Sequence, residues 1–455
     1  MSRVHTVSAQ LDEPAASIGA KARGLAELHR LGLPVPAAVV VTTEVCRGVL
    51  GTGRLPDGLV EEVTSALGSL PQQVSVRSGA ADSMPGMMRT VLDVAVHPGG
   101  PNAPLADALR EVFTSWDSPR ARTYRTLHDI PHDRGTAAIV QVMVDGARDD
   151  HSGSGVAFSR DPNTGAPAPF GDVLFGHRGD DVVSGRVRTR PLGELAGREP
   201  AVWAALTTAL DRAERRLRRP CYVEFTYESG RLWFLQLRPA QVTGLAALRI
   251  AVDLADDGLI DRPEAVRRTT ERDLDRARTP TLAPTGADVV AGQGIGACPG
   301  VVSGRVATSA DAAVRYAAGG PVVLVRPETS PHDMHGLAAA VGILTTRGGP
   351  ACHAAVVARA LGRPAVVGAA DLDVDPVAGT VTTRTGTLAE GTVITIDGTT
   401  GQVVLGHAGA VVDDAGPHRD RLLDWADEIS GDHTPRPGPD RLHDAHTALR
   451  TEENR

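Results

Sequence analysis

One lysine is unusual among the cationic residues of this sequence. Lys21, in the stretch SIGAKARGLAELHRLGLPVP, is the only lysine among 47 lysine and arginine residues. A lysine ammonium is a compact point charge on a flexible stem, which suits a single phosphate oxygen. The lone lysine indicates either a phosphate contact at Lys21 or a chance survivor in a composition that favours arginine.

A second candidate for chemistry is the histidine in TTRGGPACHAAVVARALGRPAVVG. The spacing predicts a strand that runs into Gly348-Gly349, followed by a helix that starts at His353. Glycines allow close approach of a ligand, and free N–H groups at a helix N-terminus attract an anion such as a phosphoryl group. A neutral imidazole there is a competent nucleophile. The pattern therefore indicates either a phosphorylatable histidine or one that caps or packs at the helix start.

Composition and charge limit the classes of function. The chain of 455 residues is long enough for roughly two to four domains. It is 42% hydrophobic and 22% charged, as is common for soluble globular proteins. A formal net charge of −8 without a basic run argues against sequence-independent binding of nucleic acid.

Cysteine spacing and apolar runs add further limits. Cys46, Cys221, Cys298 and Cys352 are widely separated and form no CxxC pair, so neither a zinc site nor a disulfide framework is predicted. The N-terminus has no apolar core of signal-peptide type, and no run reaches the ~18 apolar residues of a membrane span. We therefore expect a cytoplasmic protein without a membrane partner.

The order of predicted elements indicates an α/β protein. KARGLAELHRLG predicts an amphipathic helix that ends at Gly32, and PAAVVVTT predicts a buried strand. CYVEFTYE and RLWFLQLRP predict a hairpin joined at Ser229-Gly230, and GTVITIDGTTGQVVLG predicts another over Asp397-Gly398. Residues 276–290 are polar and predict a linker, and the tail from residue 406 is polar and rich in proline except for RDRLLDWADEI.

The stretch around His353 resembles the phosphohistidine motif of pyruvate phosphate dikinase, phosphoenolpyruvate synthase and rifampicin phosphotransferase. ACPGVVSGRV (297–306) and VLVRPETSPHDMHGL (323–337) are similar to the same domain. The resemblance implies that His353 carries phosphate on a ring nitrogen. This chain has Ala351-Cys352 where dikinases commonly have Thr-Ser, so the threonine regulation of the plant enzymes is not expected and Cys352 is interpreted as a packing residue.

The N-terminal half resembles the nucleotide-binding domain of the dikinases. The segments GAKARGLAELHRLGLPVPAAVVVTTEVC and VSVRSGAADSMPGMMRTVL carry this similarity. It implies that Lys21 and Arg77 contact phosphate, as a point charge and a planar fork respectively. The similarity continues over residues 135–165, and it implies that Gln141, Met143 and Val144 lie where the family's interdomain strand meets adenine.

The hairpin YVEFTYESGRLWFLQLRP resembles the family's metal-binding hairpin. The resemblance implies that Glu224, Gln236 and Arg238 bind ATP, with Glu224 and Gln236 as oxygen ligands of Mg²⁺, which prefers such donors. The alternative is a solvated hairpin face. Tyr222 stands where the family usually has an acidic residue, and this departure predicts weaker metal binding or altered ATP turnover.

The resemblance also implies a domain organisation. We expect an ATP-grasp nucleotide-binding domain over residues 1–240, a helical linker over 241–290, a swivelling phosphohistidine domain over 291–405 and a tail over 406–455. The segment HPGGPNAP stands where dikinases carry a long helical insertion, so the first domain is expected to be trimmed. The tail resembles the connection into the family's C-terminal barrel, which binds pyruvate and which this sequence does not contain.

Three interpretations of function stay open at this stage. The first is a dikinase-like phosphotransferase that uses ATP and Mg²⁺, phosphorylates His353, releases AMP and passes the phosphoryl group to pyruvate or another acceptor on a separate domain or chain. The second is a catalytically weakened ATP-binding or phosphocarrier protein with a regulatory role. The third is a truncated remnant, against which the intact candidate residues argue: His353, Lys21, Arg77, Glu224 and Gln236.

Overall fold

The computed structural model confirms the predicted α/β class. It describes residues 2–68, 73–82, 84, 87–97, 102–184, 187, 189–283, 290–413 and 416–453. Helices and strands alternate along these ranges. None of the helices in the described ranges combines the length and hydropathy that a membrane-spanning segment needs.

The described residues up to Pro239 form two antiparallel sheets. Their strands are β1 (Val4–Thr6), β2 (Ala38–Val41), β3 (Gln73–Gly79), β4 (Thr90–Ala95), β5 (Ala137–Val142), β6 (Gly153–Phe158), β7 (Phe170–Phe175), β8 (Arg190–Pro191), β9 (Cys221–Glu228) and β10 (Arg231–Pro239). The first sheet has the order β1-β2-β5-β3-β4, and the second has the order β10-β9-β6-β7-β8. β9 and β10 form the hairpin predicted around Ser229-Gly230.

Helices cover the first sheet and fill the space between the two sheets. They are α1 (Ala15–Arg30), α2 (Thr43–Thr52), α3 (Leu59–Leu67), α4 (Ala103–Thr114), α5 (Pro119–Leu127), α6 (Gly179–Ser184), α7 (Leu195–Arg198) and α8 (Pro200–Leu217). Successive side chains of a strand point to opposite faces. Val40 of β2 therefore packs with α1 and the second sheet, whereas Val39 and Val41 pack with α2, α3 and α4.

Two glycines bring α1 against both sheets. The helix begins at Ala15, earlier than the sequence predicted, and it is kinked at Gly19, whose φ is +77°. A Cβ at Gly19 would lie 1.8 Å from the Gly79 carbonyl oxygen at the end of β3, and one at Gly24 would lie 2.1 Å from the Leu237 carbonyl oxygen of β10. Only glycine tolerates this combination of left-handed backbone and close contact at Gly19.

The described residues from Gly244 onward contain further helices and strands. The helices are α9 (Gly244–Asp256), α10 (Arg262–Arg268), α11 (Glu271–Ala277), α12 (Ala310–Ala317), α13 (Met334–Ala339), α14 (His353–Leu361), α15 (Gly416–Ser430) and α16 (Gly438–Glu453). The strands are β11 (Thr279–Leu282), β12 (Val290–Gln293), β13 (Ile295–Cys298), β14 (Val301–Ala307), β15 (Val322–Arg326), β16 (Gly342–Thr345), β17 (Ala365–Val367), β18 (Asp373–Asp375), β19 (Thr380–Thr383), β20 (Gly386–Ala389), β21 (Val393–Asp397), β22 (Gln402–Leu405) and β23 (Ala410–Asp413).

An eight-stranded mixed sheet dominates this second half. Its order is β12-β22-β21-β14-β15-β16-β17-β13, and β14, β15, β16 and β17 run parallel to one another. β21 and β22 form the predicted hairpin that passes through Asp397-Gly398. The carboxyl ends of parallel strands meet at one edge of a sheet, where ligands bind in open α/β sheets. The loops after β15 and β16 therefore lie side by side at that edge.

One expectation about an irregular segment is wrong. The predicted linker over residues 276–290 contains β11, which pairs with β23, although residues 284–289 lie outside the described residues. In the tail, the segment RDRLLDWADEI lies within α15, and α16 follows it; together they bury Leu422, Trp425 and Leu442 against α9 and α10. β11 gains its stability from a partner distant in sequence, so local composition did not reveal it.

A buried carboxylate joins the two halves of the chain. Asp172 on β7 is 3% exposed, and its Oδ2 atom accepts a hydrogen bond of 2.9 Å from the backbone N–H of Ala351. Its Oδ1 atom accepts one of 3.0 Å from the Thr189 hydroxyl, and burial raises the pKa of Asp172 to about 6. Ala351 also packs into an apolar cluster of the second sheet that includes Phe158. The loop before α14 is thus docked on the first half.

We expect Gly349→Ala to weaken this docking. A Cβ at Gly349 would lie 2.1 Å from Asp172 Oδ1, so the carboxylate would have to leave its position beside Ala351. Small-angle X-ray scattering should then show a larger radius of gyration than for the wild-type chain. Gly51→Ala is the matched control, because Gly51 is an exposed helical residue with open space around it. Identical scattering curves for all three proteins would contradict this docking contact.

Candidate active site

An ion pair joins the two sheets of the first half at the predicted phosphate site. Arg77, near the end of β3, donates from Nη2 to Glu224 Oε2 on β9 over 2.6 Å. Its Nη1 atom donates to the Leu235 carbonyl oxygen over 3.1 Å, at the point where the β9–β10 register shifts. The contacts fix the guanidinium of Arg77 between the sheets and hold Glu224 beside it.

The lone lysine lies in the same cleft. Burial, together with the positive charges of Arg77 and Arg238, lowers the pKa of Lys21 to about 7, and the Glu224 carboxylate opposes the shift. No described residue forms an ion pair or hydrogen bond with the Lys21 ammonium. A desolvated cation among two other cations is stabilised when an anion arrives. The contact of α1 with β3 and β10 therefore positions Lys21 for an anionic ligand.

Glu224 and Gln236 offer oxygen donors beside the three cations. They are direct partners across the β9–β10 pair, so their side chains share one face of the sheet. Burial would raise the pKa of Glu224, but Arg77 and Lys21 hold it below its ordinary value, so the carboxylate is ionised. Mg²⁺ is commonly held by one or two carboxylates together with substrate phosphates and water. This donor pair fits a magnesium ion that accompanies a nucleotide.

The remaining residues of this face differ from a carboxylate-rich metal site. Tyr222 and Arg238 are the next cross-strand pair, and the Arg238 guanidinium lies 4.1 Å from the centroid of the Tyr222 ring. Across the described ranges, no group of three or more histidine, cysteine, aspartate or glutamate side chains is placed to hold a metal ion. Cationic side chains therefore outnumber the metal-binding oxygen donors here, and Glu224 is the carboxylate placed beside Gln236.

The structure places Gln141, Met143 and Val144 at the end of β5, where the chain leaves the first sheet. Gln141 is 1% exposed and pairs with Ser75 of β3, two residues from Arg77. Its Nε2 atom is buried and has no hydrogen-bond partner among the described residues. A buried amide without a partner is costly, so it is a candidate contact for a ligand. Met143 and Val144 follow, both partly buried.

His353 is the first residue of α14, as predicted. Its Nδ1 atom lies 3.1 Å from the Thr329 hydroxyl, and its Nε2 atom is buried without a hydrogen-bond partner among the described residues. Burial lowers the pKa of His353 to about 4, and the nearby Asp333 carboxylate opposes this shift. The imidazole is therefore neutral at physiological pH and keeps a free nitrogen at Nε2.

Sequence reasoning missed Thr329, the residue that orients this ring. Thr329 follows β15 and His353 follows the adjacent parallel strand β16, so the sheet brings the two loops together. The available signal was the hydroxyl residues directly after a buried strand in VLVRPETSPHDMHGL. Cys352 is buried in the core of the second half and its pKa is raised to about 11, which confirms the interpretation of a packing residue.

The loop before His353 docks on the sheet face that carries Glu224, at the predicted phosphate site. Arg359 of α14 donates to the Pro350 carbonyl oxygen over 2.8 Å, and its guanidinium lies 5.6 Å from the centroid of the Phe158 ring. Ala351, Phe158 and Tyr222 share one apolar cluster. Arg359 and Arg238 are close enough for their charges to interact. Tyr222 thus contacts both the docked loop and the cationic cleft.

Comparisons with known proteins match both halves of the chain. The model of the pyruvate phosphate dikinase AMP/ATP-binding domain matches residues 47–191, and that of the mobile domain of PEP-utilising enzymes matches residues 319–401. Pyruvate, phosphate dikinase from Rhizobium meliloti is 35% identical over 520 aligned positions, which cover 90% of this chain and 58% of that protein. The alignment is longer than this chain, so the relative carries additional residues within the aligned region.

Two further relatives show the same pattern. Pyruvate, phosphate dikinase from Clostridium symbiosum is 34% identical, with 90% of this chain and 59% of the relative covered. The chloroplastic enzyme 1 of Arabidopsis thaliana is 32% identical, with 90% and 53% covered. The chain thus spans somewhat more than half the length of these relatives. The two domain models and these relatives together show that the chain belongs to the pyruvate phosphate dikinase family.

Proposed function

We propose that this chain is a dikinase-type phosphotransferase that binds ATP with Mg²⁺ and phosphorylates its own His353. The observation that carries the proposal is the convergence of three cations and one carboxylate on the face where the His353 loop docks. These residues are Lys21, Arg77, Arg238 and Glu224. Anionic phosphates and a neutral nucleophile would meet at such a place.

The proposed chemistry follows from the state of the imidazole. His353 is neutral, and its Nε2 atom carries no competing hydrogen bond, so Nε2 is the nitrogen we assign as nucleophile toward the β-phosphate of ATP. AMP is the leaving group, and phosphate or water then takes the terminal phosphoryl group. Arg77, Arg238 and Lys21 would stabilise negative charge that develops during the transfer. When bound, Mg²⁺ would neutralise phosphate charge beside Glu224 and Gln236.

The domain assignments belong to the same proposal. We assign residues 1–240 to an ATP-grasp nucleotide-binding domain and residues 291–405 to a swivelling phosphohistidine domain, joined by the helical residues 241–290. The hydrogen bond from Ala351 to Asp172 supports one docked position of the second domain. Transfer onward requires the domain to leave that position and meet an acceptor, pyruvate or another small molecule, on a further domain or a separate chain.

A second candidate function is supported by Tyr222. Beside Gln236 the hairpin offers the carboxylate of Glu224, and a tyrosine stands two residues before it. An ATP-binding or phosphocarrier protein with slow turnover and a regulatory role would tolerate weak metal binding. Nucleotide binding without phosphorylation of His353 would favour this second candidate.

We expect the purified chain to become labelled when it is incubated with Mg²⁺ and ATP that is radiolabelled at the β-phosphate. The label should be acid-labile and alkali-stable, as phosphohistidine is, and AMP should form in equal amount. His353→Ala should abolish the label, while His335→Ala should retain it, because His335 lies exposed on the neighbouring α13. Label that persists in His353→Ala would contradict the assignment of the nucleophile.

We expect Thr329→Val to slow this labelling about fivefold, because a lost hydrogen bond of roughly 1 kcal/mol would misorient the imidazole. Thr329→Ser, which keeps the hydroxyl, should retain most of the rate. ATP affinity should be the same in both variants, since Thr329 lies outside the phosphate cleft. Rapid-quench measurement of the labelling rate tests this, and equal rates in the valine and serine variants would rule out a positioning role.

We expect ATP binding to take up a proton at Lys21. Its pKa of about 7 in the free protein leaves most Lys21 side chains neutral at about pH 8, and a bound phosphate would restore the charge. Isothermal titration calorimetry in buffers of different ionisation enthalpy should report an uptake near one proton at about pH 8 and little uptake at about pH 6. Lys21→Met should bind more weakly and show no uptake. Uptake that is unchanged in Lys21→Met would show that another group is responsible.

A further inference from the structure

Tyr222 and Arg238 form an unusual pair at the edge of the phosphate cleft. They face each other across the β9–β10 hairpin, and the guanidinium carbon lies 4.1 Å from the ring centroid. Tyr222 is 2% exposed, and burial raises the pKa of its hydroxyl, so the ring is neutral. An aromatic face attracts a cation without cancelling its charge.

Arg238 therefore keeps its positive charge, and its attraction to the Glu224 carboxylate acts without a close ion pair. Within the described part of the chain it enters no ion pair with a carboxylate, whereas Arg77 is paired with Glu224 at 2.6 Å. Lys21 is likewise without an ion-pair partner there. Around this pair the carboxylates are Glu224 and Asp172 and the cations are Lys21, Arg77, Arg238 and Arg359, so the excess charge is positive. The cleft is suited to a ligand that brings its own concentrated negative charge.

A carboxylate at position 222 would change this balance in two ways. It would lie opposite Arg238 across the strand pair, at the distance of an ion pair, and would neutralise the guanidinium. It would also add a second oxygen ligand for a divalent cation beside Glu224. The phosphates would then depend on the metal, because fewer protein cations would be free to meet them.

The docked loop gives an independent reason for a ring at this position. Tyr222 packs against Phe158, with ring centroids 5.0 Å apart, in the cluster that also receives Ala351. The buried carboxylate of Asp172 already lies under that loop with its pKa raised by burial, and a second ionised carboxylate there would carry a further desolvation cost. The ring lets the loop dock beside Arg238 while the guanidinium stays charged.

We propose that Tyr222 is a positioning residue that holds Arg238 toward the phosphates without neutralising it, so that this site binds ATP with little dependence on Mg²⁺. The cationic side chains then bind the phosphates of ATP. When held by Glu224 and Gln236, Mg²⁺ would neutralise phosphate charge during phosphoryl transfer. This inference rests on the proposed nucleotide site, but it concerns binding and not phosphorylation of His353.

Calorimetric titration of the full chain with ATP, once with EDTA and once with Mg²⁺, tests this inference. For the wild-type chain we expect dissociation constants that agree within about threefold, because the charged guanidinium replaces the metal as counter-charge. Tyr222→Asp should weaken binding in EDTA at least about tenfold and regain it with Mg²⁺, because the new carboxylate pairs with Arg238 and binds the metal.

Two further variants separate the role of the ring from a loss of folding. Tyr222→Phe keeps the aromatic face and should retain the wild-type ratio of the two dissociation constants. Tyr222→Leu keeps an apolar side chain without an aromatic face and should weaken binding in EDTA about threefold, as expected for a lost cation–π contact. Thermal unfolding of each variant checks that the chain is folded. Equal binding by the phenylalanine and leucine variants would overturn the role of the ring.

The outcomes distinguish this inference from the proposed function. A wild-type chain that binds ATP only with Mg²⁺ overturns the inference and leaves phosphorylation of His353 intact. A chain that binds ATP under neither condition overturns both. The inference requires that the wild-type chain bind ATP with similar affinity in EDTA and in Mg²⁺. It also requires that Tyr222→Asp bind ATP tightly only when Mg²⁺ is present.

Discussion

The cost of placing cations close together away from water is the constraint on which this site depends. Lys21, Arg77 and Arg238 are partly buried near one another, and the pKa of Lys21 is lowered first by burial and then by the neighbouring positive charges. Glu224 offsets part of this cost through its ion pair with Arg77. Packing supplies the rest, because α1 is held against β3 and β10 by backbone contacts at Gly19 and close packing at Gly24. A rigid frame therefore keeps the cations in place before any anion arrives, which is what preorganised stabilisation of phosphate charge requires.

The two halves of the chain differ in the charge of their candidate functional residues. The first half gathers charge in a cleft and uses few carboxylates, whereas the second half buries a histidine so that it stays neutral. The halves meet at the apolar cluster around Tyr222, Phe158 and Ala351, with the Arg359 guanidinium beside the Phe158 ring. Asp172 adds one directional contact, from a carboxylate to the backbone of the loop. One hydrogen bond and a small apolar cluster form a limited contact, which is compatible with a domain that binds this face reversibly.

Local sequence patterns predicted the elements that carry the chemistry. The start of α14 at His353 follows from two glycines and an apolar helix period, and the β9–β10 hairpin follows from alternating strands around Ser229-Gly230. Contacts that join distant segments left no such pattern. Thr329 reaches His353 only because β15 and β16 are adjacent in the sheet, and His446 of α16 reaches the Val266 carbonyl oxygen of α10, 180 residues earlier. β11 was missed for the same reason, since its partner β23 lies far along the chain.

The sequence alone determined which residue types were available: one lysine, a histidine at a helix start, and a hairpin with Glu224, Gln236 and Arg238. These features depend on local spacing and on a resemblance that extends over most of the chain. The tertiary structure decided how those residues act, because charge, burial and hydrogen-bond partners depend on neighbours that folding supplies. It left Nε2 of His353 free and the ring neutral, and it placed the Tyr222 ring beneath Arg238. Electrostatic energies change steeply with distance and solvent exposure, and neither quantity can be obtained from residue order.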